Sequence, residues 1–266
     1  QNMKIGIIGL GNMADAVIGG MLRQEIVKRE DITGSAATRQ TVERMAERYG
    51  IRTTVDNKAV AEDADVLILA VKPQFLEAVI AEIRDCLSEQ TLLITIAAGK
   101  TIDWYEAAFG KAIRLVRCMP NTPALVGAGF TAVCANKNVT EEEQACAIRL
   151  MESLGGTCVI PESRMDAFAA VAGCSPAYVF LFIEAMADAG VAAGMPRAQA
   201  YEAAARAVMG SAKLLLETGR HPGELKDMVC SPGGTTIQGV KALEEHGMRG
   251  AVMDAIAACV EKAKEL

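Results

Sequence analysis

The chain has 266 residues, 51% of them hydrophobic and 23% charged, with a net charge of -6. Enough is apolar to build a real core, which excludes a disordered chain and a disulfide-held miniprotein, and at about 100–200 residues per domain the length suits two domains. Residues up to Glu162 carry 17 Lys and Arg against 21 Asp and Glu, and the remainder 10 against 12, so neither part offers the basic surface that nucleic acid or anionic lipid requires.

The chain turns into a strand directly after Met3, which predicts no targeting segment, and Gln1 and Asn2 read as additions ahead of the natural start. Up to about residue 160, strand-like apolar runs alternate with helical stretches. Strands are predicted over Lys4–Ile8, Ile32–Ala36, Val66–Val71, Leu92–Ala97, Ile113–Cys118 and Phe130–Cys134, and helices over Asn12–Gln24, Thr41–Tyr49, Phe75–Leu87 and Thr140–Leu154. Continuous apolar strands alternating with helices predict a mostly parallel sheet covered on both faces. Thr140, followed by Glu141, Glu142 and Glu143, reads as an N-cap with acids at the positive end of the helix dipole.

After Pro161 the character changes: residues 163–266 hold 23 alanines and no convincing strand. Ser175-Pro176 reads as a helix start, with Ser as N-cap and Pro at the first helical position. The charge-free run Ala167 to Ile183 is broken by Gly173 and Pro176 and falls short of the about 20 residues of a membrane span, so it is expected to be buried. From Ala177 to Ile183 this helix is apolar all round, more than one small bundle can cover. The fold class expected is therefore α/β: a Rossmann-type domain over residues 1–161, and an all-α domain over residues 162–266 that buries surplus apolar surface against a second subunit.

The eight cysteines lie at least 12 residues apart, none in a CxxC pair, and His221 and His246 are the only histidines. No metal site is expected, and the thiols point to a reducing, cytoplasmic setting. Both histidines read as solvent-facing or capping residues near helix ends. Cys118, Cys174 and Cys230 lie near motifs but have no local histidine to activate them as nucleophiles.

Gly9-Leu10-Gly11-Asn12-Met13-Ala14 follows the first strand and opens the first helix. It has the GxGxxG/A form of a dinucleotide loop: a glycine for the tight turn, a second for close approach of a pyrophosphate, and a small third residue for helix–strand packing. An NAD site usually carries an acid at the end of the second strand. Asp31 has the right count but precedes that strand, whose far end reads Ser35-Ala36-Ala37-Thr38-Arg39. Hydroxyls and a guanidinium with no acid favour NADP over NAD, through charge-assisted bonds to a 2′-phosphate; the plainer alternative is that Arg39 is only a solvated residue at a helix start.

Ligands of open α/β sheets bind outside the carboxyl ends of the strands. Two such ends carry Ala70-Val71-Lys72-Pro73-Gln74 and Cys118-Met119-Pro120-Asn121-Thr122-Pro123. In the second domain, Cys230-Ser231-Pro232-Gly233-Gly234-Thr235-Thr236 leads into a helix beginning near Ile237. Glycines and hydroxyls at a helix start make an anion site suited to a carboxylate. Lys72 is a candidate general acid, with the favoured alternative a positive neighbour of the cofactor. Thr236 is a candidate catalytic hydroxyl, with a plain helix N-cap as the alternative.

In these motifs the sequence resembles the pyrroline-5-carboxylate reductases: GLGNM, AVKPQ at 70–74, AAG at 97–99, MPNTP at 119–123, SPAY at 175–178 and SPGGTT at 231–236, in this order from Met3 onward. The resemblance implies reduction of L-1-pyrroline-5-carboxylate to L-proline with NAD(P)H, and a helical domain that interleaves with its dimer mate, with higher oligomers in some members. It implies active sites between one subunit's nucleotide domain and the partner's helices. Cofactor contacts would be Ile8, Gly9, Leu10, Gly11, Asn12, Met13, Ser35, Asn57, Ala70, Val71, Lys72, Pro73, Ala97 and Ala98; substrate contacts would be Ser231, Gly233, Gly234, Thr235 and Thr236, with Asn121 of the MPNTP motif added as a candidate. Two departures stand out: Cys174 replaces a small residue of the usual Gly-Ser-Gly before SPAY, and Met228 stands where some members have Asn.

Two other functions compete. A β-hydroxyacid-type dehydrogenase would present a catalytic Lys on an early helix of the second domain, yet Asp166 to Gly194 contains none. A non-catalytic nucleotide sensor would have no use for a second anion cradle.

Overall fold

The computed structural model describes residues 2–265. It forms two compact units, one made of the described residues up to Gly173 together with those from Val260 on, the other of Cys174–Cys259.

The first unit is built on an eight-stranded sheet: β1 (Ile5–Ile8), β2 (Ile32–Ser35), β3 (Arg52–Thr54), β4 (Val66–Leu69), β5 (Leu92–Thr95), β6 (Arg114–Met119), β7 (Gly129–Ala135) and β8 (Gly155–Val159). Their spatial order is β3-β2-β1-β4-β5-β6-β7-β8. The first six strands run parallel, β7 reverses against β6, and β8 runs parallel to β7. The order changes direction between β1 and β4, which opens the ligand crevice at their carboxyl ends. Every residue of β1, β4 and β5 is buried, because helices cover both faces. On one side pack α1 (Asn12–Arg23), α2 (Arg39–Tyr49) and α6 (Glu141–Glu152); on the other, α3 (Asn57–Asp63), α4 (Pro73–Ile83) and α5 (Ile102–Phe109).

The sequence reading misses β3 and β8. Both stand at sheet edges: β3 is polar, and β8 opens on Gly155 and Gly156. The N-cap expected at Thr140 is present as a full capping box, in which the Glu143 amide donates to Thr140 Oγ1 (3.2 Å) and the Thr140 amide donates to Glu143 Oε2 (2.9 Å).

The helix start expected at Ser175-Pro176 is not a start. The chain is already helical through α7 (Met165–Phe168) and a π-turn over Ala169–Cys174, and Cys174 sits at φ -89, ψ -35. A proline inside a helix has no N–H for the carbonyl four residues back. The wider π-turn absorbs the mismatch, and Asn121 Nδ2 donates to the stranded Ala172 carbonyl at 3.0 Å.

The second unit is helical: α8 (Ser175–Ala192), α9 (Arg197–Thr218), α10 (Pro222–Val229), α11 (Thr235–Glu245) and most of α12 (Met248–Ala263). Its buried apolar residues are few, Ala187, Ala200, Ala204 and Leu225. The apolar run expected to be buried is mostly open within a single chain: Phe180 is 61% and Leu181 66% exposed. By length and composition alone, Glu162–Ala192 would suffice to cross a membrane.

Thr140→Ala removes one half of the capping box and is expected to lower stability by about 1 kcal/mol, read as a lower urea midpoint at unchanged slope.

Candidate functional site

At the crevice, Gly9 takes φ +96 and its amide donates to the Ser35 carbonyl at 2.9 Å. A Cβ there would strike the Ala70 carbonyl and the Val71 amide, so only glycine lets the loop pass this close to the end of β4. Gly11 is the N-cap of α1 and offers no side-chain acceptor. The first amides of a helix have no partner within it, and nothing lies within 4 Å of where a Gly11 Cβ would stand. That open space over unpaired amides fits a cofactor pyrophosphate. Ala14 is buried and lets α1 lie against the sheet. Ile8 and Leu10 are buried too, Leu10 against Gly34, so these two can meet a cofactor only through backbone, whereas Asn12 is exposed.

The end of β2 is arranged as a relay. Ser35 is fully buried, and its hydroxyl donates to Asn57 Oδ1 at 2.7 Å. Asn57, the first residue of α3, donates onward to Glu82 Oε2 at 3.1 Å. The two residues, 22 apart in sequence, are thus brought together, with Ser35 as support and Asn57 as the reachable group. Arg39 opens α2 and is exposed, while Thr38 caps that helix by accepting the Thr41 amide. Asp31 ends a short 3-10 turn ahead of β2, at the opposite end of the strand.

Beyond β4, Lys72 is the exposed N-cap of α4, its carbonyl accepting the Phe75 amide at 2.9 Å, and Pro73 takes the first helical position. Ala70 and Val71 are partly exposed beside it. Beyond β5, Ala97 is buried, its amide donating to Thr95 Oγ1 at 3.3 Å, while Ala98 is exposed and Gly99 turns at φ +88. Asn121 is differently employed. Its Oδ1 accepts the Phe130 amide at 2.8 Å and its Nδ2 holds the Ala172 carbonyl, so it braces the fold, and a substrate contact from this carboxamide is set aside.

In the second unit, Gly233 takes φ +67, the Gly234 amide donates to the Ser231 carbonyl at 3.1 Å, and α11 begins at Thr235. The N-cap is Gly234, with no side-chain cap. Thr236 is therefore the second residue inside the helix rather than its cap, and it is exposed. Ser231, Gly233 and Thr235 are exposed around the same turn. The result is a set of free amides with spare hydroxyls beside them, fit to hold a carboxylate.

The remaining titratable groups stay outside this chemistry. All eight cysteines are free thiols. Burial pushes the Cys118, Cys134 and Cys158 thiols above their ordinary range, away from the thiolate a nucleophile needs. His221 caps α10 through Nδ1, which accepts the Gly223 amide at 3.1 Å, and His246 ends α11 with Nδ1 2.8 Å from the Ala242 carbonyl. No cluster of metal-ligating side chains occurs among the described residues.

Comparison with known proteins agrees with this geometry. Residues 162–266 match the profile of pyrroline-5-carboxylate reductase dimerisation, and residues 4–99 that of NADP oxidoreductase, coenzyme F420-dependent. The pyrroline-5-carboxylate reductase of Escherichia coli (strain K12) is 48% identical over 263 residues, spanning 99% of this chain and 98% of its own. The pyrroline-5-carboxylate reductase structure from Coxiella burnetii is 36% identical with a TM-score of 0.93, covering 100% of this chain and 98% of that one. The Plasmodium falciparum pyrroline carboxylate reductase, solved with NADP bound, is 34% identical with a TM-score of 0.89 over 99% and 98% of the two chains. A loop that fits a dinucleotide, a helical half that matches the dimerisation profile and full-length likeness therefore agree: the chain belongs to the pyrroline-5-carboxylate reductase family.

Proposed function

We infer that this protein reduces L-1-pyrroline-5-carboxylate to L-proline with NADPH, the last step of proline biosynthesis. The observation that carries this reading is the glycine-led head of α11, where uncapped amides stand beside the unengaged Thr236 hydroxyl. A second anion cradle, separate from the one that fits a pyrophosphate, suits a small substrate with a carboxylate head.

When bound, the nicotinamide would supply the hydride for the imine carbon of a protonated ring, whose C=N bond becomes C–N with the proton kept on nitrogen. A cyclic imine protonates readily, so the chain needs no strong acid; its task is to hold the reactants in register. The Ser231, Gly233, Gly234 and Thr235 segment receives the substrate carboxylate, and the Thr236 hydroxyl bonds the ring nitrogen or the carboxylate. Gly11, Asn12 and Met13 would hold the pyrophosphate through backbone amides, with Gly9, its own amide bonded to Ser35, supplying the tight turn. Ala70, Val71, Pro73, Ala97 and Ala98 line the crevice beyond it, with Lys72 as a positive neighbour. Arg39, exposed at the head of α2, takes the 2′-phosphate and favours NADPH over NADH.

Self-association belongs to the same reading. Phe180, Leu181, Met209, Leu216 and Met253 on the second unit are each more than 60% exposed, and large apolar side chains left open in this way mark an interaction surface. The residues matching the dimerisation profile include all of them, and a second copy of the chain is the partner that covers them. Free thiols throughout support a cytoplasmic setting.

Thr236→Ala is expected to lower kcat/KM for pyrroline-5-carboxylate roughly ten- to a hundredfold, about 1.4–2.8 kcal/mol, with NADPH affinity retained; unchanged kinetics in an absorbance assay of NADPH oxidation would reject the assignment. Arg39→Met is expected to weaken NADPH binding roughly tenfold while leaving NADH within about twofold, and equal losses for both cofactors would count against the 2′-phosphate role. Light scattering at micromolar concentration is expected to report a dimer or a higher oligomer, and a clean monomer would remove the self-association.

A further inference from the structure

The turn between β5 and α5 is pinned at both ends by residues the reaction does not otherwise use. At its start, Thr95 Oγ1 accepts the Ala97 amide at 3.3 Å and is hydrogen-bonded, at 2.5 Å, to Tyr105 Oη, which reaches back from α5. Burial raises the Tyr105 phenol to about 12, so it stays neutral and can donate. At its end, the Ile102 amide, first of α5, donates to Glu162 Oε2 at 2.8 Å. The same oxygen accepts from Arg117 Nη1 at 3.1 Å.

Arg117 is an anomaly in β6. Its side chain is only 3% exposed, its Nε is buried without a partner, and Glu162 is its ion-pair partner among the described residues. A buried guanidinium without a countercharge is strongly unfavourable, so Arg117 and Glu162 hold each other, and through Glu162 they hold the head of α5. Gly99, Thr101, Trp104, Arg117 and Glu162 border one cavity of about 680 Å3, so the outer side of the turn faces open space, with Lys100 lying over the Trp104 ring. Its shape therefore depends on the two pins. With Arg39 at the end of β2 marking the adenosine side of the crevice, the ends of β4 and β5 lie on the nicotinamide side of the switch point.

We propose that Glu162 is a positioning residue for hydride transfer, holding the Ala97–Gly99 turn in the shape that receives the nicotinamide end of the cofactor. This rests on the reading that Ala97 and Ala98 meet the cofactor. Glu162→Gln keeps the size of the side chain and can still accept the Ile102 amide, but leaves Arg117 without its countercharge. Calorimetric titration of the full chain separates local from general damage, using NADPH and 2′-phospho-ADP-ribose, which lacks the nicotinamide. NADPH is expected to bind roughly tenfold more weakly to the variant, while 2′-phospho-ADP-ribose stays within about twofold of the unmodified chain. Equal weakening of both ligands, or of neither, would overturn the proposal. Where Glu162→Gln fails to fold, Tyr105→Phe releases the other pin of the same turn and is expected to give the same split, with the same contrary results. Both measurements read binding alone, so NADPH binding without turnover of pyrroline-5-carboxylate would count against the proposed reaction and not against the pin.

Discussion

A helix begins with amide hydrogens that nothing inside it can accept, and the function of this chain depends on where those amides are left open. Five helices close their own heads with a side chain: Thr38 for α2, Asp56 for α3, Thr101 for α5, Thr140 for α6 and His221 for α10. Two begin instead at a glycine that has no side chain to offer, Gly11 for α1 and Gly234 for α11. Both heads leave their first amides open to an anion. One lies at the switch point of a parallel sheet and the other in a helical unit, which matches a reaction between a phosphate-bearing cofactor and a carboxylate-bearing substrate.

Around the first head, the fold spends its buried polar groups on holding backbone still. Ser35 steadies Asn57, Thr95 and Tyr105 steady Ala97, and Glu162 with Arg117 steadies the start of α5. None of these side chains needs to touch the reacting atoms. Hydride transfer to an imine demands little acid–base assistance and much registration, and a scaffold of buried bonds to loop amides answers that demand.

The capping box at Thr140, the glycine turn after β1 and the histidine caps follow from local rules and are readable residue by residue. Ser175-Pro176 obeys the same local rule and misleads, because the chain is already helical and a side chain 51 residues from Ala172, Asn121, replaces the donor that proline lacks. Thr236 illustrates the converse: a hydroxyl near a glycine pair leaves an N-cap open as the alternative reading, and the backbone places Gly234 in that position instead. The Glu162 pin left one trace in the sequence, Arg117, the second of two arginines in the strand run Ile113–Cys118, which calls for an acid without saying which one.

Motif spacing and apolar periodicity determine the parallel sheet, the dinucleotide loop, the change to helix after Pro161 and the two glycine-led helix heads, since each depends on neighbours a few residues away. Edge strands, the reversal at β7, the double engagement of Asn121 and the pairing of Arg117 with Glu162 belong to tertiary structure alone. They join groups 9 to 51 residues apart, and a polar side chain carries no mark of which distant partner its burial will require.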